Sequence, residues 1–150
     1  MATHKWQGAR VIAVASSKNE TLMRELGMDR FIDYTEQAAD KVVNDADLVI
    51  DAVGGANMER FLRVLKRGGA LFLVNPMGFA GHEKAQRLGI AVSSTQVRSN
   101  GRQLEEAGRL LDDGTVRIIL DSSFPLSEAA SAHARAEQGG IQGKIALAVL

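Results

Sequence analysis

The chain is predicted to be an α/β protein, a Rossmann-like parallel sheet with helices on both faces, and three observations predict it. Apolar, β-prone runs recur at 11–15, 48–50 and 71–74 with no polar alternation, which is the pattern of strands buried on both faces of a parallel sheet. Helix-like segments stand between consecutive runs, and strand–helix alternation favours parallel pairing with crossover helices. Two of the runs close on small residues, Ser16-Ser17 and Gly54-Gly55, suited to tight strand-to-helix turns.

The elements follow in order. After the strand at 11–15, a helix over 20–26 stops at Gly27, a usual helix terminator. Residues 31–34 read as a short strand and 36–44 as a polar helix. The strand at 48–50 turns at Gly54-Gly55 into a helix over 58–65, which Lys66-Arg67-Gly68-Gly69 closes with cations at its negative end. A strand at 71–74 comes next. Beyond Pro76 the pattern loosens, and 78–81 is the best candidate for a mobile loop. A helix at 83–88, a strand at 90–94 and an amphipathic helix at 102–111 follow, the last ending near Gly114. Residues 116–120 are apolar and β-branched. A helix over 126–138 with Ser127 as its cap and a final strand at 145–150 complete the reading.

Bulk composition excludes several function classes. The 150 residues suffice for one domain with a sizeable core. Lys plus Arg number 18 and Asp plus Glu 18, with no long run of either sign, so a nucleic-acid partner or an anionic membrane surface is not expected. No apolar stretch approaches the roughly 18 to 20 residues that span a bilayer, and the N-terminus lacks a signal-peptide core, so a cytoplasmic location is expected. There is no cysteine, and His4, His82 and His133 lack ligand-type spacing, so no zinc site is expected. No nucleophile–base motif is present either, and no catalytic residue is assigned.

Several segments together resemble the medium-chain dehydrogenase/reductase superfamily, in its zinc-free, quinone-oxidoreductase-like, NADP-dependent branch. They are Gly8-Ala9-Arg10-Val11-Ile12-Ala13, Leu26-Gly27-Met28-Asp29 running to Ile32-Asp33-Tyr34, Asp47 through Gly55, and Leu65 through Gly69. The tail adds Phe124-Pro125-Leu126-Ser127-Glu128-Ala129, Ala132-His133 and Gly143-Lys144-Ile145. Each piece alone is weak, but their order and spacing extend over nearly the whole chain.

The resemblance implies a cofactor-domain portion. Members of the superfamily begin with a catalytic domain, then the first strand and glycine-rich loop of the cofactor domain, whereas Trp6-Gln7 here match the last turn of the helix after that loop. The first strand belongs at the sheet centre in the order 3-2-1-4-5-6, between the strands at 11–15 and 48–50. Those two strands are therefore expected either to pair directly or to admit a strand from another chain. Residues 1–116 are assigned to a partial dinucleotide-binding domain and 117–150 to a return segment that packs on the catalytic domain. A homo-oligomer, or a separately encoded N-terminal half, is the expected partner.

The resemblance also proposes where NADP sits. Ser16, Ser17 and Lys18 end the first strand where an acidic residue would select NAD; hydroxyls and a cation suit a 2′-phosphate instead, and Tyr34 borders the same position. A polar turn is the plain alternative for this segment. Ala52, Val53, Gly54 and Gly55 allow close approach of the cofactor ribose, and equally make a tight turn. Val74 and Asn75 line the nicotinamide in relatives, with a turn asparagine as the alternative. Gly143 and Lys144 match a C-terminal pair that helps hold the cofactor; a solvated lysine at a strand start explains them equally. Ser99-Asn100-Gly101 borders the pocket or simply caps a helix. Asp51 is expected to be buried with a structural hydrogen-bonding role, and His133 to be packed or solvated.

The function implied is NADPH-dependent hydride transfer to a small-molecule quinone or enone, with little or no turnover by this chain alone. A non-catalytic oligomerising or partner-binding remnant is the alternative reading. A third is an S-adenosylmethionine-dependent methyltransferase, whose usual antiparallel closing strands fit the tail poorly.

Overall fold

The computed structural model describes residues 8–55 and 58–149. The segment Trp6-Gln7, matched above to a helix end, lies outside them. Among the described residues there are seven strands: β1 (Ile12–Ala15), β2 (Arg30–Asp33), β3 (Ala46–Asp51), β4 (Leu65–Leu73), β5 (Ala91–Ser94), β6 (Leu120–Pro125) and β7 (Lys144–Ala148). Among the described residues four α-helices accompany them: α1 (Glu20–Glu25), α2 (His82–Leu88), α3 (Gly101–Asp112) and α4 (Ala129–Glu137). Every strand pair is parallel. The order is β1-β2 in one sheet, β3-β4-β5 in a second and β6-β7 in a third. Direct pairing of β1 with β3, one of the two expectations, is therefore not found.

The chain divides into two compact units. One holds 12–20 and 30–99, the other the segments up to Val11, Thr21–Asp29 and from Asn100 onward. In the first unit Ile32, Ala39, Val43, Met58, Leu62, Val64, Leu65, Leu71, Leu73, Ala85 and Ile90 form one buried cluster. Leu71 and Leu73 share a face of β4 by the two-residue strand period and are almost fully buried.

Two predicted helices are corrected here. In place of a helix over 36–44 there is a single 3-10 turn, Ala39–Lys41. Ala39 in the turn and Val43 just after it are buried, and Val42 packs against the same core, so a short stretch already places the apolar side chains that the core takes. In place of a helix over 58–65 there is a 3-10 helix, Met58–Arg63, which buries Met58 and Leu62 and releases Leu65 to open β4.

Lys66-Arg67-Gly68-Gly69 consequently ends no helix. It lies inside β4, where the ladder steps from Ala46↔Leu65 to Leu48↔Ala70, so β3 advances by two residues while β4 advances by five. The extra residues loop out. Lys66 Nζ reaches Asp47 Oδ1 at 2.5 Å across the loop. In the segment at 78–81, expected to be a mobile loop, Gly78 and Ala80 are exposed, but Gly81 is buried, where a Cβ would meet Glu59 Cγ at 2.8 Å, and Phe79 stacks edge-on with His82 at 4.9 Å.

In the second unit the Leu26 and Gly27 amides close α1 on Leu22 and Arg24, as the glycine stop predicts. Asn100 caps α3, its Oδ1 accepting from the Gln103 amide at 3.1 Å. Residues 116–119 are not strand; β6 starts at Leu120. Ser127 is not the cap of α4. It sits in a 3-10 turn, Leu126–Glu128, and Glu128 holds the cap position without a side-chain bond. The β6–α4–β7 crossover joins two parallel strands, which disagrees with the antiparallel closing pair of a methyltransferase. A bonded pair locks it: Arg135 Nη2 donates to Asp121 Oδ1 at 2.6 Å, and the Gln142 amide donates to the same oxygen at 3.2 Å.

Candidate functional site

In the first unit the predicted residues lie at the C-terminal ends of β1, β2, β3 and β4, the end at which open parallel sheets bind ligands. Asp51 organises the β3 end. It is 7% exposed, and its Oδ1 accepts from the amides of Val53 at 2.8 Å and Gly54 at 3.0 Å. Its carbonyl accepts from the Val74 amide at 2.9 Å, tying the end of β4 to the same residue. The structural role expected for Asp51 is the one observed.

The turn that Asp51 holds needs glycine. Gly54 has φ +79°, and a Cβ there would lie 3.0 Å from the Asn75 carbonyl oxygen and 3.1 Å from Asn75 Nδ2. The bare backbone of 53–55 thus packs directly on Asn75, whose Oδ1 accepts from the Met77 amide at 3.2 Å in an Asx turn. By contrast, among the described residues, its chain neighbours aside, no atom lies within 4 Å of a Cβ built at Gly55. Ala52, Val53, Gly54, Gly55, Val74 and Asn75 therefore form one cluster, with Ala52, Val53, Val74 and Asn75 exposed.

Ser16, Ser17, Lys18 and Tyr34 form the second part, at the ends of β1 and β2. The Tyr34 amide donates to the Ala15 carbonyl at 3.3 Å, and its side chain is exposed, as are Ser17 and Lys18. Asp33, not among the predicted site residues, shapes this turn. Its Oδ2 accepts from the Ser17 amide at 2.9 Å, and its Oδ1 accepts from the Thr35 hydroxyl at 2.7 Å and amide at 2.8 Å. The Thr35 side chain first, then the Thr35 and Ser17 amides, hold the Asp33 carboxyl below its ordinary value. The Asp-x-Thr spacing at 33–35 is the sequence signal for this turn. Beside it an open cavity of about 350 Å³ is lined by Ser17, Glu20, Phe31, Ile32, Asp33, Glu36 and Gln37.

Gly143 and Lys144 belong to the other unit. Gly143 has φ +100°, and a Cβ there would clash with the Ile119 carbonyl oxygen, which accepts from the Lys144 amide at 2.9 Å. Close packing of two backbones thus accounts for the glycine, and Lys144 is an exposed strand start. Asn100 is a helix cap and His133 is exposed.

The sequence model of a family described as zinc-binding dehydrogenase matches residues 26–147. This chain belongs to the zinc-binding dehydrogenase family. It is 28% identical over 95% of its length to a mitochondrial NAD(P)H oxidoreductase of Mus musculus, covering 42% of that protein. It is 29% identical over 97% of its length to a chloroplastic NADPH-dependent alkenal/one oxidoreductase of Arabidopsis thaliana, covering 35% of it. The solved structure of the quinone oxidoreductase from Coxiella burnetii superposes with a TM-score of 0.87 at 30% identity, over 99% of this chain and 48% of the other. The chain thus spans less than half the length of these relatives, in the cofactor-domain portion of the superfamily named above.

The family description names zinc. Among the described residues no group of three or more His, Cys, Asp or Glu side chains is placed to hold a metal ion. The open backbone at Gly55 and the polar turn at 16–18 do fit a dinucleotide. No helix among the described residues is long and apolar enough to cross a membrane.

Proposed function

We propose that this chain is the cofactor-binding portion of an NADPH-dependent oxidoreductase that reduces a quinone or an enone. The observation that carries the reading is the Asp51-held turn, which brings the bare backbone of Val53-Gly54-Gly55 against Asn75 at one sheet end. The names of the Arabidopsis and Coxiella relatives support the reductant and the substrate class. In this assignment Ser16, Lys18 and Tyr34 take the adenosine 2′-phosphate, Ala52 to Gly55 the ribose, and Val74 and Asn75 the nicotinamide side. NADPH supplies the hydride, and the chain's own residues bind and orient it. The groups that face the substrate lie in the rest of the enzyme, so the isolated chain does not turn over. Gly143 and Lys144 are left to backbone packing.

The 2′-phosphate assignment is tested with adenosine 2′,5′-bisphosphate against AMP, since neither probe needs the donors that cradle a pyrophosphate. The bisphosphate is expected to bind at least about tenfold more tightly, the effect of one charge-assisted hydrogen bond. It should shift the Ser16, Lys18 and Tyr34 amide resonances, and Lys18→Ala should remove the preference. Equal affinity for both probes overturns the NADPH assignment.

A further inference from the structure

We infer that Asp33 is the positioning residue of the proposed 2′-phosphate site: from the end of β2 its carboxylate holds the turn at 16–18 and the backbone around Tyr34 in one arrangement. The inference rests on the NADPH reading and deepens it, by naming the group that sets the preference without touching the ligand.

That reading draws its phosphate contacts from two strand ends, Ser16 and Lys18 after β1 and Tyr34 after β2. A preference made this way needs its donors at a fixed spacing, because a loosely held donor must also offset the entropy of ordering it. The β1–β2 ladder reaches only as far as the Tyr34 amide, which donates to the Ala15 carbonyl at 3.3 Å. Beyond Ser16 the chain leaves β1 through a 3-10 turn, Ser17–Asn19. So short a turn holds itself poorly, and the first amides of a helical segment have no partner within it. Ser16 stands in the cap position with φ −75° and ψ 153°, yet its side chain caps none of them.

Asp33 supplies the acceptor from the neighbouring strand. Its Oδ2 takes the Ser17 amide at 2.9 Å, so the first donor of the turn is satisfied by a residue sixteen positions away. The Ser16 hydroxyl, relieved of capping, accepts from Asn19 Nδ2 at 3.2 Å and keeps its proton to give. The other carboxylate oxygen accepts from the Thr35 hydroxyl at 2.7 Å and amide at 2.8 Å, which closes the backbone around Tyr34. One side chain thus fixes the residue between Ser16 and Lys18 and both chain neighbours of Tyr34.

Charge alone argues the other way. A carboxylate beside a phosphate dianion repels it, so a purely electrostatic role makes Asp33→Asn a tighter binder of the bisphosphate. Positioning predicts the opposite sign. A carboxamide has one acceptor oxygen, and when an Asx turn directs it to the Thr35 amide, Nδ2 meets the Ser17 amide donor to donor. The bond that holds the turn at 16–18 is then lost. Asp33→Glu separates the two roles again, since it keeps the charge and displaces the carboxylate by one methylene.

The test titrates the 150-residue chain and its variants with adenosine 2′,5′-bisphosphate and with AMP, followed by NMR. The wild type should show the preference of at least about tenfold for the bisphosphate. In Asp33→Asn and in Asp33→Glu it should fall to about twofold or less, as that bond's contribution goes. Exchange of the Ser17 amide should quicken at least about tenfold in Asp33→Asn, with AMP affinity and exchange in β3 and β4 unmoved. A merely structural role would instead weaken both nucleotides together. Thr35→Ala leaves the Ser17 bond in place and should keep the preference. A preference kept or raised in either Asp33 variant overturns the proposal and leaves the NADPH reading intact; if one variant does not fold, the other decides. Absence of a preference in the wild type overturns that reading, and this proposal with it.

Discussion

Asp51 shows how one side chain defines a turn. Its buried carboxylate satisfies the Val53 and Gly54 amides, and its removal leaves both donors without their acceptor. Asp51→Ala is expected to cost about 1–3 kcal/mol, the range for stranding a buried polar group, read as a lower midpoint in urea unfolding. Asp51→Asn keeps an acceptor oxygen and should lose less. Asp33 works through the same chemistry at the end of β2. Its folded pKa lies below the ordinary value of 3.8, so its contribution to stability is fully present above that value and is lost as the pH falls through the lower folded one. Burial pushes the Asp121 carboxyl up, but the Gln142 amide, the Arg135 guanidinium and the Ser122 hydroxyl outweigh it, and the same sign follows. Thermal melts of the wild type should therefore fall steeply below pH 3.8, and Asp33→Asn should flatten that slope.

At the scale of elements, hydrogen-bonding residues were the most legible. Gly27 as a helix stop and Asn100 as a cap follow from local chemistry, because both act within a few residues of chain. Asn100→Ala should lower stability by about 1 kcal/mol, measurable as a fall in Tm, with loss of the downfield Gln103 amide shift. The β6–β7 pair gives a sharper test. Alanine at Gly143 would press on the Ile119 backbone, where no flexible side chain can move aside. Gly143→Ala should destabilise the unit containing β6 and β7 by more than the roughly 1 kcal/mol of an ordinary glycine substitution. Hydrogen exchange in β7 should rise accordingly. The helices expected over 36–44 and 58–65 failed for a non-local reason. Their composition permits helix, but Ala39, Val43, Met58 and Leu62 are held where the shared core requires them, and 3-10 turns meet that demand. The loop at Lys66–Gly69 was hidden in the same way: cations followed by glycines end a helix or bridge a bulge equally well, and only the β3 register distinguishes them.

Over the whole chain, the α/β class, the parallel pairing and the family membership were all written in the sequence. Buried parallel strands need continuous apolar runs, and family motifs are carried in order along the chain. The clustering of Ala52–Gly55 with Val74-Asn75 was also legible, since adjacent parallel strands bring their ends together. The Asp33 clamp on the Ser17 amide was not, because it joins residues sixteen positions apart through a side chain whose partner depends on the β1–β2 register. The backbone explanation of Gly143 likewise required seeing Ile119 beside it. Local propensity and apolar spacing determine which segments become strands and where turns fall. Register, the bulge in β4 and the choice between pairing β1 with β3 and leaving them in separate sheets were decided only by tertiary structure, because each depends on which backbone amides find partners across the fold.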